Sequence, residues 1–236
     1  MRLDKFISNQ TGMSRSEARE VLKSLRVTVN GVTEKHYDYK VDTDKDSVTV
    51  NGASVSYNEY LYILMNKPKG VLTATEDKRQ KTVLDLLSDD ARRKDMAPVG
   101  RLDKDTTGLI LITNDGDFAF QMTHPKFRKT KTYEVELDKP LEPLHQQMIS
   151  DYGVEIGDGV SKFKIIRDKI CETSSEKRPE DGLENSYIVF LTEGRNRQIR
   201  RTFSALGYKV TKLHRTQFGK YELGKLKPGE CVIIMP

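Results

Sequence analysis

The sequence predicts an α+β protein with a small N-terminal domain, residues 1–58, and a larger domain, residues 59–236. In the first, short amphipathic helix patterns lead into short strands that close on Asn-Gly turns. In the second, runs of strand length alternate with a few helical patterns. A chain of 236 residues with 36% hydrophobic content is long enough for one large domain or for a small and a medium one.

Two helices are predicted at the start of the chain. The first covers residues 3–11, where apolar side chains recur at helical spacing before Gly12. The second follows the capping-box pair Ser14 and Glu17. On this second helix one face is apolar and the adjacent face is basic. The apolar face contains Ala18, Val21, Leu22 and Leu25, and the basic face contains Arg15, Arg19, Lys23 and Arg26.

The string Val-Thr-Val-Asn-Gly occurs twice, at residues 27–31 and 48–52. Each copy predicts a short β-branched strand followed by a hairpin turn. Residues 53–58 predict a short polar linker to the larger domain. The basic helix face before these strands fits RNA contact, but charge on a helix commonly serves only to keep its face soluble.

One stretch of the larger domain, residues 99–117, combines dense charge with a buried strand pattern. It reads Val-Gly-Arg-Leu-Asp-Lys-Asp-Thr-Thr-Gly, then Leu-Ile-Leu-Ile, then Thr-Asn-Asp-Gly-Asp. A polar loop that enters a buried strand can hold reactive side chains on a rigid support. A tight surface turn with salt-bridged charges fits the spacing equally well. Spacing alone does not choose among Asp103, Asp105 and Asp115.

Other segments complete the expected sheet of the larger domain. The predicted strands cover residues 60–65, 71–74, 131–137, 187–192, 210–215 and 231–235, with further strands within 154–168. The predicted helices cover residues 83–87 after the capping Thr82, 118–122, 141–149 and 198–206. The polar, turn-rich residues 171–186 predict a mobile loop or a hairpin tip.

The distribution of charge is more informative than its total. The chain has 40 Lys and Arg against 35 Asp and Glu, a net charge of only +5. Residues 195–227, however, contain ten basic residues and one acidic residue. Such a cluster attracts polyanions, and we therefore favour nucleic acid over a merely solvated surface.

Several function classes lack their sequence signatures. Cys171 and Cys231 form no Cys-x-x-Cys pair, and the four histidines show no metal-ligand spacing. No P-loop is present, no N-terminal signal peptide is recognisable, and no apolar run approaches the ~20 residues that span a bilayer. We expect a cytoplasmic monomer that needs no metal or cofactor and does not enter a membrane.

Two motifs resemble those of a known enzyme family. Gly-Arg-Leu-Asp at 100–103, with the Thr-x-Gly-Leu and Thr-Asn-Asp-Gly that follow it, resembles the catalytic signature of RsuA-type ribosomal RNA pseudouridine synthases. Residues 193–203 resemble the family's Glu-Gly-Arg-x-x-Gln-hydrophobic-basic-Arg motif, and Asn-Lys-Pro-x-Gly at 66–70 resembles the start of its catalytic domain. The opening Arg-Leu-Asp-Lys-Phe and the Ser-Arg-Ser-Glu-Ala-Arg helix resemble an S4 domain.

The resemblance implies a fold and a set of catalytic roles. The fold is an S4 (αL-like) RNA-binding domain joined to a mixed, mainly antiparallel β-sheet with flanking helices. Asp103 is implied as the nucleophile, with Arg200 paired to it. Tyr133 is implied to stack on the target base near its C5 proton, although a strand tyrosine is more often a core residue with a satisfied hydroxyl. Arg101 is implied to fill the space of a flipped-out base, and Ile199 to wall the base pocket.

The remaining site residues are basic or polar. Arg195 and Gln198 of the second motif are expected to bind substrate. Many relatives have histidine where Arg197 stands, so its specific role stays open. The expected RNA contacts are Arg2, Arg15, Arg19, Lys23, Lys131, Arg197, Arg201 and Arg215.

The resulting hypothesis is isomerisation of uridine to pseudouridine in ribosomal RNA, either free or within an assembling small subunit. The short C-terminus, which lacks a long basic tail, favours 16S over 23S ribosomal RNA. The alternatives are a large-subunit 23S synthase of the same family and a non-catalytic RNA-binding ribosome-assembly factor. A metal- or nucleotide-dependent enzyme is a distant third.

Overall fold

The computed structural model describes residues 1–88, 91–93, 95–167 and 185–236. Within them the helices are α1 (Leu3–Thr11), α2 (Arg15–Lys23), α3 (Gly116–Thr123), α4 (Pro143–Gln147) and α5 (Gln198–Ala205). The strands are β1 (Val27–Val29), β2 (Val32–Thr33), β3 (Val48–Val50), β4 (Ala53–Val55), β5 (Tyr62–Lys67), β6 (Ala97–Val99), β7 (Thr107–Thr113), β8 (Lys131–Leu137), β9 (Val154–Glu155), β10 (Val160–Ser161), β11 (Lys164–Arg167), β12 (Ser186–Leu191), β13 (Val210–Phe218), β14 (Tyr221–Glu222) and β15 (Cys231–Ile233). A loop was predicted at 171–186, and its residues 171–184 lie outside the described residues.

The N-terminal residues form α1, α2 and a four-stranded sheet in the order β2-β1-β3-β4, around a core of their own. Ser14 and Glu17 form the predicted capping box, in which each side chain accepts a hydrogen bond from the other residue's backbone N–H. Asn30 and Gly31 have φ of 52° and 80°. Two consecutive left-handed residues give the turn type that suits a two-residue hairpin, which confirms the prediction from Asn-Gly.

Two predictions for this region are wrong. Leu25 was expected on the apolar face of α2 but is 59% exposed, because the helix ends at Lys23 and Leu25 adopts a φ of 57°. Residues 53–58 were expected to be a linker, but residues 53–55 form β4 and pair with β3.

Among the described residues, the larger sheet has nine strands. Its path is β11-β12-β8-β13-β7-β5-β15, and β14 and β6 pair with β13 and β7. All its pairings are antiparallel except β13 with β7. The sheet is therefore mixed and mainly antiparallel, as predicted. Gly108 permits the β7–β13 approach, because a Cβ at its position would lie 2.3 Å from the carbonyl oxygen of Arg215.

Most predicted elements of this larger part are present, with shifts of a few residues at their ends. Residues 71–74 are an exception, since only Leu72 makes a bridge, to Thr82. The helix predicted at 83–87 is a single 3₁₀ turn, Leu84–Leu86, because the backbone is already extended at Leu87, with ψ 139°. Within the described ranges, every helix is too short or too polar to cross a membrane.

Candidate active site

A cleft of about 480 Å³ opens where the loop 100–106, β8, β13 and the start of α5 meet. The parallel β7–β13 contact and the β8–β13 pairing bring these segments together from distant parts of the sequence. Nine of the predicted site residues line the cleft: Arg101, Asp103, Lys131, Tyr133, Arg195, Arg197, Gln198, Ile199 and Arg215. In the described part of the chain, no group of three or more His, Cys, Asp or Glu side chains could hold a metal ion.

The loop that carries Asp103 is fixed by hydrogen bonds from Thr73 and Lys67 to its backbone. The hydroxyl of Thr73 donates to the carbonyl of Leu102 at 2.8 Å and accepts from the Leu102 N–H at 3.2 Å. The ammonium of Lys67 donates to the carbonyl of Thr106 at 2.8 Å. Asp103 therefore extends from a rigid support, which a reacting group requires.

Lys67 supports this loop and was not among the residues predicted for the site. It is fully buried at the end of β5, and burial lowers its pKa to about 8 against the opposing effect of Asp105 and Asp103. A lysine directly after a run of apolar strand residues was the available signal. Its place in the Asn-Lys-Pro-x-Gly string indicated the start of the catalytic domain but no role for the lysine itself.

The carboxylates of the loop are paired with arginines of the α5 region, but not as expected. Asp103 Oδ2 lies 3.3 Å from Arg197 Nη1, and Asp105 Oδ1 lies 3.5 Å from the same nitrogen. Arg200 Nη2 lies 3.1 Å from Asp105 Oδ2. The predicted Arg200–Asp103 ion pair is thus replaced by Arg197–Asp103 and Arg200–Asp105. We call these four residues the carboxylate rim.

Backbone geometry explains the exchange of partners. Arg197 is the N-cap of α5 and has a left-handed conformation, with φ 46° and ψ 33°, which is uncommon for a residue with a side chain. Its side chain thereby reaches both loop carboxylates. Arg200 lies about one turn along the helix, where its Nη1 donates to the carbonyl of Val210 at 3.0 Å. That anchor leaves Arg200 beside Asp105.

Tyr133 and Ile199 form part of the cleft wall, and both are buried. No residue within the described ranges forms a hydrogen bond with the Tyr133 hydroxyl, so the structure differs from a core tyrosine with a satisfied hydroxyl. Its position in the cleft favours contact with a bound group.

Two further predicted binding residues shape the cleft edge. Arg195 donates to Glu193 Oε2 at 3.2 Å through both Nε and Nη2. Gln198 binds the other oxygen of Glu193 and the hydroxyl of Ser161. Arg101, by contrast, is exposed at the cleft and makes no side-chain hydrogen bond or ion pair with the described residues. It is free to move toward a ligand.

The predicted RNA contacts of the N-terminal helices differ in their partners. Arg2 and Arg19 both bind the fully buried carboxylate of Asp4, each at 3.0 Å. Burial raises the pKa of Asp4, but the hydrogen bonds from Arg2 and Arg19 outweigh this effect and lower the pKa below its usual value. Lys23 pairs with Glu20 at 2.7 Å, whereas Arg15 is exposed without a partner among the described residues.

Two predicted RNA contacts outside the N-terminal helices, Arg201 of α5 and Arg215 of β13, are also not free surface cations. Arg201 is held by Asp158, at 2.9 Å. Arg215 is only 1% exposed and lies at the bottom of the cleft rather than on an outer surface.

Comparison with known proteins identifies the family. The RNA pseudouridylate synthase family matches residues 61–205, and the S4 domain matches residues 1–48. The chain is 40% identical to an uncharacterized RNA pseudouridine synthase, YtzG, of Bacillus subtilis, over 98% of this chain and 93% of that protein.

Two other relatives carry the names of ribosomal enzymes. Identity is 37% to ribosomal small subunit pseudouridine synthase A of Vibrio vulnificus, over 98% of this chain and 94% of the relative. It is 36% to ribosomal large subunit pseudouridine synthase B of Bacillus subtilis, over 100% of this chain and 92% of the relative. A crystal structure of a pseudouridylate synthase superposes with a TM-score of 0.63 and 28% identity, covering 100% of this chain and 96% of that one. The chain therefore belongs to the RNA pseudouridylate synthase family, carries an S4 domain at its N-terminus, and is an RNA pseudouridine synthase.

Proposed function

We propose that this enzyme isomerises uridine to pseudouridine in 16S ribosomal RNA, with Asp103 as its nucleophile. The observation that carries the proposal is the position of Asp103 on a fixed loop, in one cleft with Tyr133, Ile199 and Arg197. A purely RNA-binding protein has no use for a carboxylate in a cationic cleft, because the carboxylate repels phosphate.

The reaction breaks the C1′–N1 bond of uridine and joins C1′ to C5. Asp103 either removes the 2′ proton and later returns it to C2′, or bonds to C1′ and leaves again when C5 bonds there. In both routes the electron pair of the broken C1′–N1 bond leaves with the base. After the base turns, C5 uses an electron pair to bond to C1′, loses its proton, and N1 gains one. Arg197 stabilises the negative charge of Asp103 and orients it. Tyr133 stacks on the base, and its free hydroxyl is available to move the C5 proton.

The target nucleotide must leave its stack to enter the cleft, which costs a few kcal/mol. Arg101, exposed and unpartnered at the cleft, is suited to occupy the vacated space and stack on neighbouring bases. Ile199 closes one side of the base site. Arg195 and Gln198 hold Glu193 at its edge.

The substrate proposal uses the relatives' names. Several are named ribosomal small subunit pseudouridine synthase A, and one is named ribosomal large subunit pseudouridine synthase B, at nearly equal identity. We therefore place 16S ribosomal RNA first and 23S second. The S4 domain is proposed to dock the monomeric enzyme on free RNA or on an assembling small subunit, with residues 1–58 and 59–236 as separate domains.

Turnover on the two ribosomal RNAs tests the proposal. Purified protein is incubated with 16S or 23S transcripts that carry tritium at uridine C5, and tritium release and pseudouridine positions are measured. We expect site-specific conversion in 16S RNA. Asp103→Asn should reduce the single-turnover rate by about 10⁴-fold or more, as loss of a nucleophile does elsewhere, with little change in RNA affinity.

Asp115→Asn is the matched control, because Asp115 caps α3 and asparagine caps a helix equally well. It should retain full turnover. Substantial turnover by Asp103→Asn, or conversion of 23S RNA alone, would contradict the respective part of the proposal.

A further inference from the structure

Four side chains of β8 and β13 form one surface at the bottom of the cleft. In the antiparallel register Lys131 lies opposite Phe218, and Tyr133 lies opposite Arg215. Lys131 and Tyr133 are two residues apart on a strand, so their side chains point to the same face. All four residues line the cleft that also contains Asp103.

Arg215 has a donor group that the protein does not use. Its Nε donates to the carbonyl of Leu109 at 2.8 Å, which fixes the guanidinium. Its Nη2 is buried and has no hydrogen-bond partner among the described residues. The guanidinium carbon lies 4.8 Å from the ring centre of Phe218 and 6.0 Å from that of Tyr133. An unpaired buried donor is costly, and native proteins keep such groups at sites with a function.

Lys131 is held only loosely. Its Nζ lies 3.5 Å from the carbonyl oxygen of Lys129 and 3.4 Å from that of Glu193, both long for hydrogen bonds. It also lies 5.3 Å from the ring centre of Phe218. Burial and the nearby Arg215 lower its pKa to about 8.

Neither cation has an ion-pair partner in the described part of the chain. The carboxylate of Glu193 is bound by Arg195 and Gln198, and Asp103 is paired with Arg197. Two partly desolvated like charges without a counter-ion are unfavourable in the free protein. A negative group that enters between them would be strongly bound.

We propose that Lys131 and Arg215 form a cationic floor that binds the carbonyl oxygens of the target uracil and stabilises its negative charge after the C1′–N1 bond breaks. The inference rests on the proposed function. The electron pair of the broken bond delocalises from N1 onto O2 and O4, and the floor donates hydrogen bonds to these oxygens without transferring a proton. When C5 bonds to C1′, the charge disappears and the contacts weaken.

A base fits this site better than a phosphate. The ring of Tyr133, which lines the cleft, provides a flat apolar surface for a pyrimidine. A phosphate would carry its full charge on arrival and be repelled by Asp103 in the same cleft. Uracil arrives neutral and becomes negative only during the reaction, so the floor stabilises the transition state more than the ground state.

The test separates the chemical step from RNA binding. Single-turnover rates by tritium release and dissociation constants at several salt concentrations are measured for Lys131→Met and Lys131→Arg. Lys131→Met should reduce the rate by about 100-fold or more and leave affinity within about twofold. Lys131→Arg, which keeps the charge, should recover a large part of the rate.

Lys139→Met is the matched control, since Lys139 lies just beyond the far end of β8, outside the cleft. It should match the wild type. Arg215→Lys serves as a second variant, with thermal melting to verify folding, and should reduce the rate without reducing affinity.

Three results would overturn the inference. The first is a wild-type rate in Lys131→Met. The second is a loss of affinity with a smaller salt dependence, which would identify a phosphate contact instead. The third is an absence of turnover by the wild-type protein on either RNA, both free and within an assembling subunit, which would reject the proposed function and this inference together.

Discussion

The carboxylate rim and the cationic floor belong to the same site, but the cations of the rim are ion-paired and those of the floor are not. At the rim, Arg197 and Arg200 are both paired with loop carboxylates. At the floor, Arg215 is only 1% exposed, and neither Lys131 nor Arg215 has an ion-pair partner among the described residues.

The difference indicates two functions for cations in one site. A paired cation positions a protein group and gains little from a ligand, because its charge is already compensated. An unpaired, desolvated cation is unfavourable until a ligand compensates it, so part of its binding energy is reserved for substrate.

The largest effect among these variants is expected at the rim. Arg197→Gln removes the partner of Asp103 and should lower the single-turnover rate by about 100-fold, similar to the loss of one preorganised hydrogen bond in other enzymes. Arg200→Gln, which leaves the Arg197–Asp103 pair intact, should lower the rate less. Single-turnover rates of the two variants show which rate loss is larger, and thermal melting verifies that both variants fold. A larger effect for Arg200→Gln in a normally folded protein would contradict this order and support the predicted Arg200–Asp103 ion pair instead.

A Lys67 variant tests whether the carboxylate rim depends on the hydrogen bond from Lys67 to the loop backbone. Lys67→Met removes the donor to the Thr106 carbonyl, so residues 103–106 should exchange their amide hydrogens faster and the rate should fall by about 10-fold or more. Hydrogen exchange followed by mass spectrometry measures the first effect. Lys104→Met is the control, because Lys104 is exposed and bonds only Gln80 among the described side chains. Unchanged exchange in Lys67→Met would show that the loop does not depend on Lys67.

These two sites also show how far the sequence alone predicts the cleft. The strands β8 and β12 were predictable because β8 alternates and β12 is mostly apolar, and the motif around Asp103 identified its loop. The ion-pair partners were not predictable, since they depend on the left-handed backbone at Arg197, which no local pattern marks. The spacing of Lys131 and Tyr133 implied a shared face. That Arg215 would be buried opposite them depends on the register of β8 and β13, which joins residues far apart in sequence.

The floor gives the reaction a pH dependence. Burial and Arg215 lower the pKa of Lys131 to about 8, while Glu193 acts in the opposite direction. The charged form is the one that stabilises the base, so activity should fall as pH rises through about 8. Between pH 7 and pH 9 the single-turnover rate should fall by about tenfold.

The control for this fall is Lys131→Arg, which stays protonated throughout the range. Its rate should be flat over the same interval. Lys67 also has a pKa of about 8, from burial. A fall that persists unchanged in Lys131→Arg would therefore assign the pH dependence to Lys67.

The smallest effects are expected in the S4 domain, where the same distinction between paired and unpaired cations applies. Arg15 has no partner among the described residues, so Arg15→Ala should weaken RNA binding by a factor of about 2 to 5 and reduce the salt dependence by about one charge. Arg19→Ala should also lower the melting temperature, because it leaves the buried carboxylate of Asp4 with Arg2 as its only cation. RNA binding is measured over a range of salt concentrations, and melting curves are recorded for both variants. Together they separate the effect on RNA contact from the effect on stability. If Arg15→Ala keeps the wild-type salt dependence, this face of α2 does not contact the RNA backbone, and an unpaired exposed cation is then no guide to binding outside the cleft.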